Sequence, residues 1–291
     1  MWRGRSIAVV LPTYRERASI RSVIEAFESL DVVDDILVVN NNAEPGTSVE
    51  VAATSAREVL EGRQGYGAAI RRGLAETDAD VICICEPDGT FDPSDLWKLL
   101  AYTDDFDFVY GSRTVQDLIW DGANMGRFLR WGNWAVAKLI QVLFNTPSLS
   151  DVGCTLRLVS GPGVRRLQPH FTVEDGAFGP EMMLLSIIGG WRIVQLPVNY
   201  RAREGQPGTT ESFAKAFRIG LQMIRLILDY RVRRRSVERG LREGGIDGHP
   251  RWPAGQAHPG GEPVHMVPWL RLRRGARMRL HIGRDSDRQR R

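Results

Sequence analysis

The chain has 291 residues, 43% of them hydrophobic, enough for one large domain or a domain with an extension. Its formal charge of +4 is unevenly placed: residues 232–291 hold 15 Arg and 6 acidic residues, which leaves the first 231 residues at net −5. The basic balance therefore argues for no nucleic-acid surface on that larger part, and with His170 as its one histidine, a His-rich metal site or a Ser-His-Asp triad is nearly excluded there.

The start, MWRGRSIAVVLP, is too short and too soon broken by Pro12 to read as a signal peptide. Ser6–Leu11 is an apolar, β-branched run ending at Pro12, which predicts a strand. Ala18–Leu30 places apolar residues at helical spacing, Ile20, Val23, Ile24, Phe27 and Leu30. Asp35–Val39 predicts a second strand, stopped by Asn40-Asn41-Asn42. Ser48–Ser55 is weakly helical, Ala56–Leu60 a short strand and Gly67–Glu76 a helix. Val81–Cys85 is the next strand, Asp95–Tyr102 a helix, and Phe106–Tyr110 a strand that runs into Gly111-Ser112-Arg113. Cys83 and Cys85 alternate on one face of their strand and read as buried thiols, which fits a reducing cytoplasm.

The second half has a different texture. Trp120–Phe144 is a long, Trp-rich helical stretch with Arg127, Arg130 and Lys138 among apolar neighbours. Asp151–Val159 predicts a strand, Phe178–Ile188 a helix, Ile193–Tyr200 a strand and Phe213–Tyr230 a helix. Basic residues beside Trp and Leu suit an interfacial helix, and packing under a sheet suits the same two stretches, so both readings stand. No run of about 18 apolar residues predicts a membrane span. From about Val232 the chain turns to Arg, Gly, Pro and His without periodicity. This predicts a basic, disordered tail over 232–291, either a dispensable extension or a membrane-surface arm.

Apolar strands alternating with helices predict an α/β fold, with a parallel sheet covered on both faces. Ligands of such sheets sit outside the carboxyl ends of the strands. That rule singles out the loops Pro12–Arg17, Asn40–Gly46, Glu86–Phe91 and Gly111–Thr114. In Glu86-Pro87-Asp88 two carboxylates two residues apart can share Mg²⁺ or Mn²⁺, cations that bridge protein carboxylates to substrate phosphates; a plain turn is the competing reading. The helix opened by Gln64-Gly65-Tyr66-Gly67 has an N-terminus that can face phosphate, or it is a close-packed turn. Arg113 stands where a guanidinium could grip phosphate through two parallel hydrogen bonds.

In this order PTYRE (12–16), VVNNN (38–42), RQGYGAAIRRGL (63–74), EPD (86–88) and GSR (111–113) resemble the nucleotide-sugar half of a family 2 glycosyltransferase. DVGCTLR (151–157), FGPE (178–181) and LPVNYRAR (196–203) resemble its polyprenyl-phosphate mannose or glucose synthase branch. The resemblance covers roughly residues 6–230. It implies a GT-A (Rossmann-like) fold: a mixed, mostly parallel sheet with helices on both faces, plus C-terminal interfacial-type helices. By position it places Pro12, Tyr14 and Glu16 at the nucleobase and ribose. Asn40 falls where the family has a base-binding Asp, and it offers a donor as well as acceptors. Glu86 and Asp88 take the place of the family's Asp-x-Asp, with Asp88 the firmer metal ligand because Glu is one methylene longer. Arg113, Arg130 and Arg203 resemble phosphate-binding arginines, Arg113 and Arg203 toward the donor and Arg130 toward an acceptor phosphate.

The resemblance implies inverting transfer of a hexose from a nucleoside diphosphate sugar, assisted by Mg²⁺ or Mn²⁺, at the cytoplasmic side of the cell membrane. A polyprenyl phosphate acceptor is already anionic and needs little general base. A soluble hydroxyl acceptor would need one, and Glu181 or Asp151 is then the candidate, each also readable as a helix-end or turn carboxylate. A non-catalytic nucleotide-sugar-binding module is the alternative from another class. A nucleotidyltransferase would carry a Gly-rich loop after its first strand, and PTYRE is not one. After Arg203 the branch usually continues with Gly and a Ser-Lys or Ser-Ser pair. Here Glu204-Gly205-Gln206-Pro207-Gly208 reads instead as a mobile loop.

Overall fold

The computed structural model describes residues 1–123, 126–204 and 213–243. Seven strands form one sheet: β1 (Ile7–Thr13), β2 (Asp35–Asn40), β3 (Arg57–Leu60), β4 (Val81–Ile84), β5 (Phe108–Ser112), β6 (Arg157–Ser160) and β7 (Ile193–Pro197). Their order is β3-β2-β1-β4-β6-β5-β7. β6 runs antiparallel to both β4 and β5, and every other pairing is parallel, so the sheet is mixed and mostly parallel as the resemblance implied.

The helices are α1 (Arg17–Glu28), α2 (Thr47–Ala52), α3 (Tyr66–Ala75), α4 (Asp95–Leu100), α5 (Arg127–Phe144), α6 (Gly161–Leu167), α7 (Phe178–Ile188) and α8 (Phe213–Glu243). Pleating sends alternate residues of one strand to opposite faces, and the two faces bury separate cores. Val10 of β1 with Ile82 and Ile84 of β4 pack with α3, α5, α7 and α8. Val9 and Leu11 with Val81 and Cys83 pack with α1 and α4. Central strands buried on both sides explain the unbroken apolar runs. Cys83 and Cys85 are free and buried, and burial pushes the Cys83 thiol up to about 12, so it stays protonated and inert.

Four expectations need correction. The helix expected over Trp120–Phe144 begins only at Arg127, because the preceding chain is tied elsewhere: the Trp120 N–H donates to the Tyr200 carbonyl at 2.8 Å, and Gly122 turns at φ +82°. The strand expected over Asp151–Val159 starts at Arg157, since the Asp151 carboxylate closes a turn by accepting the Gly153 N–H at 2.9 Å. α6 was not foreseen; Ser160 caps it through the Gly163 N–H, with Pro in the first turn. The tail expected from Val232 is helical as far as Glu243, where α8 still buries Leu241. The rest of that tail, 244–291, lies outside the described residues, as does the loop expected over 205–210.

Candidate active site

The carboxyl ends of β1 and β4 bring the first and third singled-out loops together. Glu16 caps its own turn: one carboxylate oxygen accepts the N–H groups of Tyr14 and Arg15 at 2.7 and 2.8 Å. Its other oxygen pairs with Arg203. Arg203 also reaches Asp88 at 3.0 Å, so one guanidinium bridges two loops that are 72 residues apart. Asp88 is 2% exposed, and its second oxygen accepts the Thr90 N–H and hydroxyl at 3.0 and 2.6 Å. The chain after β7 is laid against this loop by its backbone: Arg201 N–H donates to Thr90 O at 2.7 Å and Glu204 N–H to Asp88 O at 2.9 Å. Gly89 sits at φ +75° with Glu204 against it. A side chain there would be strained by the backbone and would press on Glu204.

Glu86 is half-buried, and its carboxylate has no hydrogen-bond or ion-pair partner among the described residues; its carbonyl accepts the Cys85 thiol at 3.4 Å. Burial, and then the Asp88 and Glu16 charges, push its carboxyl up to about 8 against the opposing pull of Arg203 and Arg113. Glu16, Glu86, Asp88, Arg113 and Arg203 thus share one electrostatic neighbourhood.

The described residues contain no cluster of three or more His, Cys, Asp or Glu able to hold a metal on protein ligands alone. They do contain an acidic pair with a cationic group already seated on it, Arg203 on Asp88 and Glu16. A site with one or two carboxylates and room for phosphate oxygens is the arrangement Mg²⁺ takes. In such a site Asp88, with Glu86 two residues before it, would hold the ion.

Arg113 lies at the end of β5, but its guanidinium is engaged. It forms a two-point pair with Asp151, Nε to Oδ2 at 2.9 Å and Nη2 to Oδ1 at 3.1 Å, and its backbone N–H adds a third bond at 3.0 Å. Asp151 is fully buried. Burial alone would raise its carboxyl; the Arg113 charge and the N–H donors outweigh this and hold it below the ordinary value. Arg113 also lies over the Tyr200 ring at 5.2 Å. Glu181, also fully buried on α7, accepts the Thr172 and Val173 N–H groups, the Thr172 hydroxyl and the Tyr230 hydroxyl at 2.7 Å. It ties the 172–173 loop to α8. As placed, neither carboxylate offers a free lone pair.

Pro12 and Asn40 stand side by side, because register pairs Pro12 with Val39 and Thr13 with Asn40. Tyr14 is exposed, with Arg15 over its ring. Asn40 donates to Glu58 at 2.7 Å and accepts the Ala43 N–H at 2.8 Å, and Asn41 is buried, stapling the 61–65 turn. Asn42 donates to Gly62 O and Gln64 Oε1 at 3.3 and 3.1 Å, so all three consecutive Asn are committed to holding loops. The N-terminus of α3 does not face a phosphate site: the Ala68 N–H donates to the Glu174 carbonyl, and a Cβ on Gly65 would lie 2.2 Å from that oxygen. The close-packed-turn reading holds there. Arg130, near the start of α5, donates to Gln116 at 3.2 Å and lines a cavity of about 280 Å³ with Thr114, Trp131 and Trp134.

Sequence reasoning missed the groups that seat the returning chain. Asp95 is fully buried and accepts the Asn199 N–H and side-chain amide. Asp92 pairs with Arg201, and Phe91 bridges to Tyr200 and meets its ring edge-on. The repeated acids after Asp88, in DGTFDPSD, were the available signal.

The sequence profile described as glycosyl transferase family 2 matches residues 8–160. An uncharacterized glycosyltransferase of Mycobacterium tuberculosis is 28% identical over 204 residues, 69% of this chain and 88% of that protein. A dolichyl-phosphate hexose transferase of Haloferax volcanii is 26% identical over 230 residues, 78% of this chain and 96% of that one. Among solved structures, glucosyl-3-phosphoglycerate synthase from Mycobacterium tuberculosis with Mg²⁺ and UDP superposes with a TM-score of 0.61 at 20% identity, over 78% of this chain and 79% of that one. Its complex with Mn²⁺, UDP-glucose and phosphoglyceric acid gives 0.59 at 20% identity, over 78% and 80%. With the profile spanning more than half of the chain and its motifs at the carboxyl edge of a mostly parallel sheet, the protein belongs to glycosyl transferase family 2 and is a glycosyltransferase.

Proposed function

We propose that the protein transfers a hexose, with inversion, from a nucleoside diphosphate sugar to a polyprenyl phosphate. The observation that carries the acceptor is the state of the two candidate bases. Asp151 is consumed by Arg113, and Glu181 by four donors. A hydroxyl acceptor needs a base to take its proton, whereas a phosphate monoester arrives ionised. The cavity of Thr114, Arg130, Trp131 and Trp134 offers that anion a guanidinium beside aromatic walls. The Haloferax volcanii relative, matched over nearly its whole length, is a dolichyl-phosphate hexose transferase, which supports the same reading.

Toward the donor, Pro12, Tyr14 and Asn40 at the ends of β1 and β2 would line the base and ribose. The neighbours crystallised with UDP and UDP-glucose make a uridine nucleotide the first to test. A Mg²⁺ or Mn²⁺ held by Asp88, with Glu86 beside it, would neutralise charge on the leaving diphosphate. Arg203 is positioned to exchange its carboxylate partners for diphosphate oxygens. Such donors stabilise the transition state because they are in place before charge develops. Arg113, anchored by Asp151, contributes a fixed positive field, and Tyr200 braces it.

The test is release of nucleoside diphosphate from UDP- and GDP-sugars with Mn²⁺, with and without polyprenyl phosphate, and separately with 3-phosphoglycerate. Stimulation by the lipid alone is expected. Stimulation by the hydroxyl acceptor alone would overturn the acceptor assignment, and no release from any donor would overturn the enzymatic one.

A further inference from the structure

We propose that Glu58 is a positioning residue for donor recognition: it locks the Asn40 amide so that Asn40 meets the nucleobase as a hydrogen-bond acceptor alone. The pair then selects a base whose ring nitrogen carries a hydrogen, as in uracil or guanine. This rests on the reading that Asn40 lines the base pocket, and it adds to that reading a further residue and a class of base. Asn40 closes β2, opposite Leu60 of β3 in the parallel register. Side chains alternate along a strand, so Glu58, two residues before Leu60, hangs on the same side of the sheet as Asn40. Ser48, in the first turn of α2, reaches the same carboxylate.

The contacts fix which end of the amide faces where. Asn40 Oδ1 accepts the Ala43 N–H at 2.8 Å, and Nδ2 donates to Glu58 Oε1 at 2.7 Å. The Ser48 hydroxyl donates to the same Glu58 oxygen at 2.8 Å and accepts from Nδ2 at 3.4 Å. Turning the amide over would set its N–H2 against the Ala43 N–H and its oxygen against a carboxylate, two unfavourable meetings at once. Asparagine in general offers a donor as well as acceptors. Here both amide hydrogens are engaged, one by Glu58 and one by Ser48, while Oδ1 keeps a second lone pair. Glu58 is half-buried, and its hydrogen bonds go to Asn40 and Ser48. Among the described residues no lysine or arginine pairs with it, and Arg57 beside it pairs with Asp35 instead.

An amide oxygen held toward the ring nitrogen of a base gains a hydrogen bond from N3–H of uracil or N1–H of guanine. Facing N3 of cytosine or N1 of adenine, it meets a lone pair instead, and a polar site left with such a mismatch rejects the ligand. An aspartate at this position is an acceptor by its own chemistry. Asn40 becomes one through Glu58, so a neutral residue and a carboxylate on the neighbouring strand together do the work of a single Asp.

The test is calorimetric binding of UDP, GDP, CDP and ADP, each with Mn²⁺, to the full chain with no acceptor present. Wild type should bind UDP or GDP about ten-fold more tightly than CDP and ADP, the difference that one misplaced hydrogen bond makes. The UDP and GDP arms tell which of the two bases it takes. Glu58→Leu frees the amide to turn its N–H2 to the base, and the preference should shrink to within about two-fold. Asn40→Asp in the Glu58→Leu background should restore it, since a carboxylate accepts without being held. Asn40→Asp alone brings two carboxylates together and should bind UDP and GDP less tightly than the double variant does. Loss of loop structure would not produce that reversal, and circular dichroism checks that each variant is folded. An unchanged preference in Glu58→Leu, or no recovery in the double variant, would overturn the proposal. So would wild type that binds CDP and ADP as tightly as UDP and GDP. Binding of none of the four would overturn the base-pocket reading itself and this inference with it, whereas binding without preference overturns this inference alone.

Discussion

Two regions of this molecule hold buried carboxylates against hydrogen-bond donors, and they differ in what those contacts leave free. At the ends of β1 and β4, Arg203 is shared between Glu16 and Asp88, and the Glu86 carboxylate has no partner among the described residues. At Asp151 and Glu181 every oxygen is met by fixed donors, several from the backbone. A shared guanidinium on two separate loops can be traded for a ligand. A carboxylate closed by backbone N–H groups cannot be released without opening the fold. Burial and an ion pair therefore do not distinguish a reactive carboxylate from a structural one; the identity and exchangeability of its partners do.

The sharpest way to break this comparison is at Asp151. Asp151→Asn leaves the Arg113 guanidinium buried without its counter-charge, a change that costs roughly 3–5 kcal/mol. Urea unfolding followed by circular dichroism should show a midpoint well below that of wild type. The pH dependence has a fixed sign. Because the folded carboxyl is held below its ordinary value, its contribution is complete above the unfolded value near 3.9. It is lost as pH falls through the lower folded value. The variant should lack that part of the acid limb. Unaltered stability would mean the pair is not structural.

Asp88→Asn should do the reverse. Its Thr90 contacts survive, so the unfolding midpoint should barely move. Nucleotide release should fall about 10²–10³-fold, the usual loss when one preorganised electrostatic partner is removed. A variant that unfolds early yet keeps wild-type turnover per folded molecule would collapse the distinction.

Glu181→Gln sharpens the structural side. One acceptor becomes a donor facing donors, for about 1–3 kcal/mol of stability, with turnover per folded molecule within a few-fold of wild type. A hundred-fold loss of turnover at full stability would instead make Glu181 a base and favour a hydroxyl acceptor. The smallest effect belongs to Tyr230→Phe, which removes one hydrogen bond of the four donors on Glu181 and should cost about 1 kcal/mol. Thermal unfolding resolves a change of that size.

Local pattern was enough for the sheet and for much of the donor edge. β-branched runs such as Ile7–Leu11 and Ile36–Val39 are buried on both faces, and helical spacing in Ala18–Leu30 matches α1 closely. Both are short-range signals: side-chain periodicity reports which faces meet the core, and the carboxyl edge of a parallel sheet follows from chain direction. Glu16 and Asp88 could be picked out because a strand end is visible in sequence. Arg203 could be named but not paired, since nothing in residues 196–204 says that the chain comes back across Thr90 and Asp88.

The later half was less legible for the same reason. Asp151 and Glu181 look like candidate bases in DVGCTLR and FGPE; only the fold brings Arg113 to the first and Thr172, Val173 and Tyr230 to the second. α5 and α8 read equally as core or interface, and the tertiary structure shows a buried face on each with an exposed apolar face turned away from it. By itself the sequence determined most of the strands and the carboxylates that stand at their ends, because those depend on neighbours a few residues apart; the antiparallel course of β6 came only with the fold. The tertiary structure decided which carboxylates are locked and which have exchangeable partners, because that depends on donors such as Arg113, 38 residues from Asp151, and Arg203, 187 residues from Glu16.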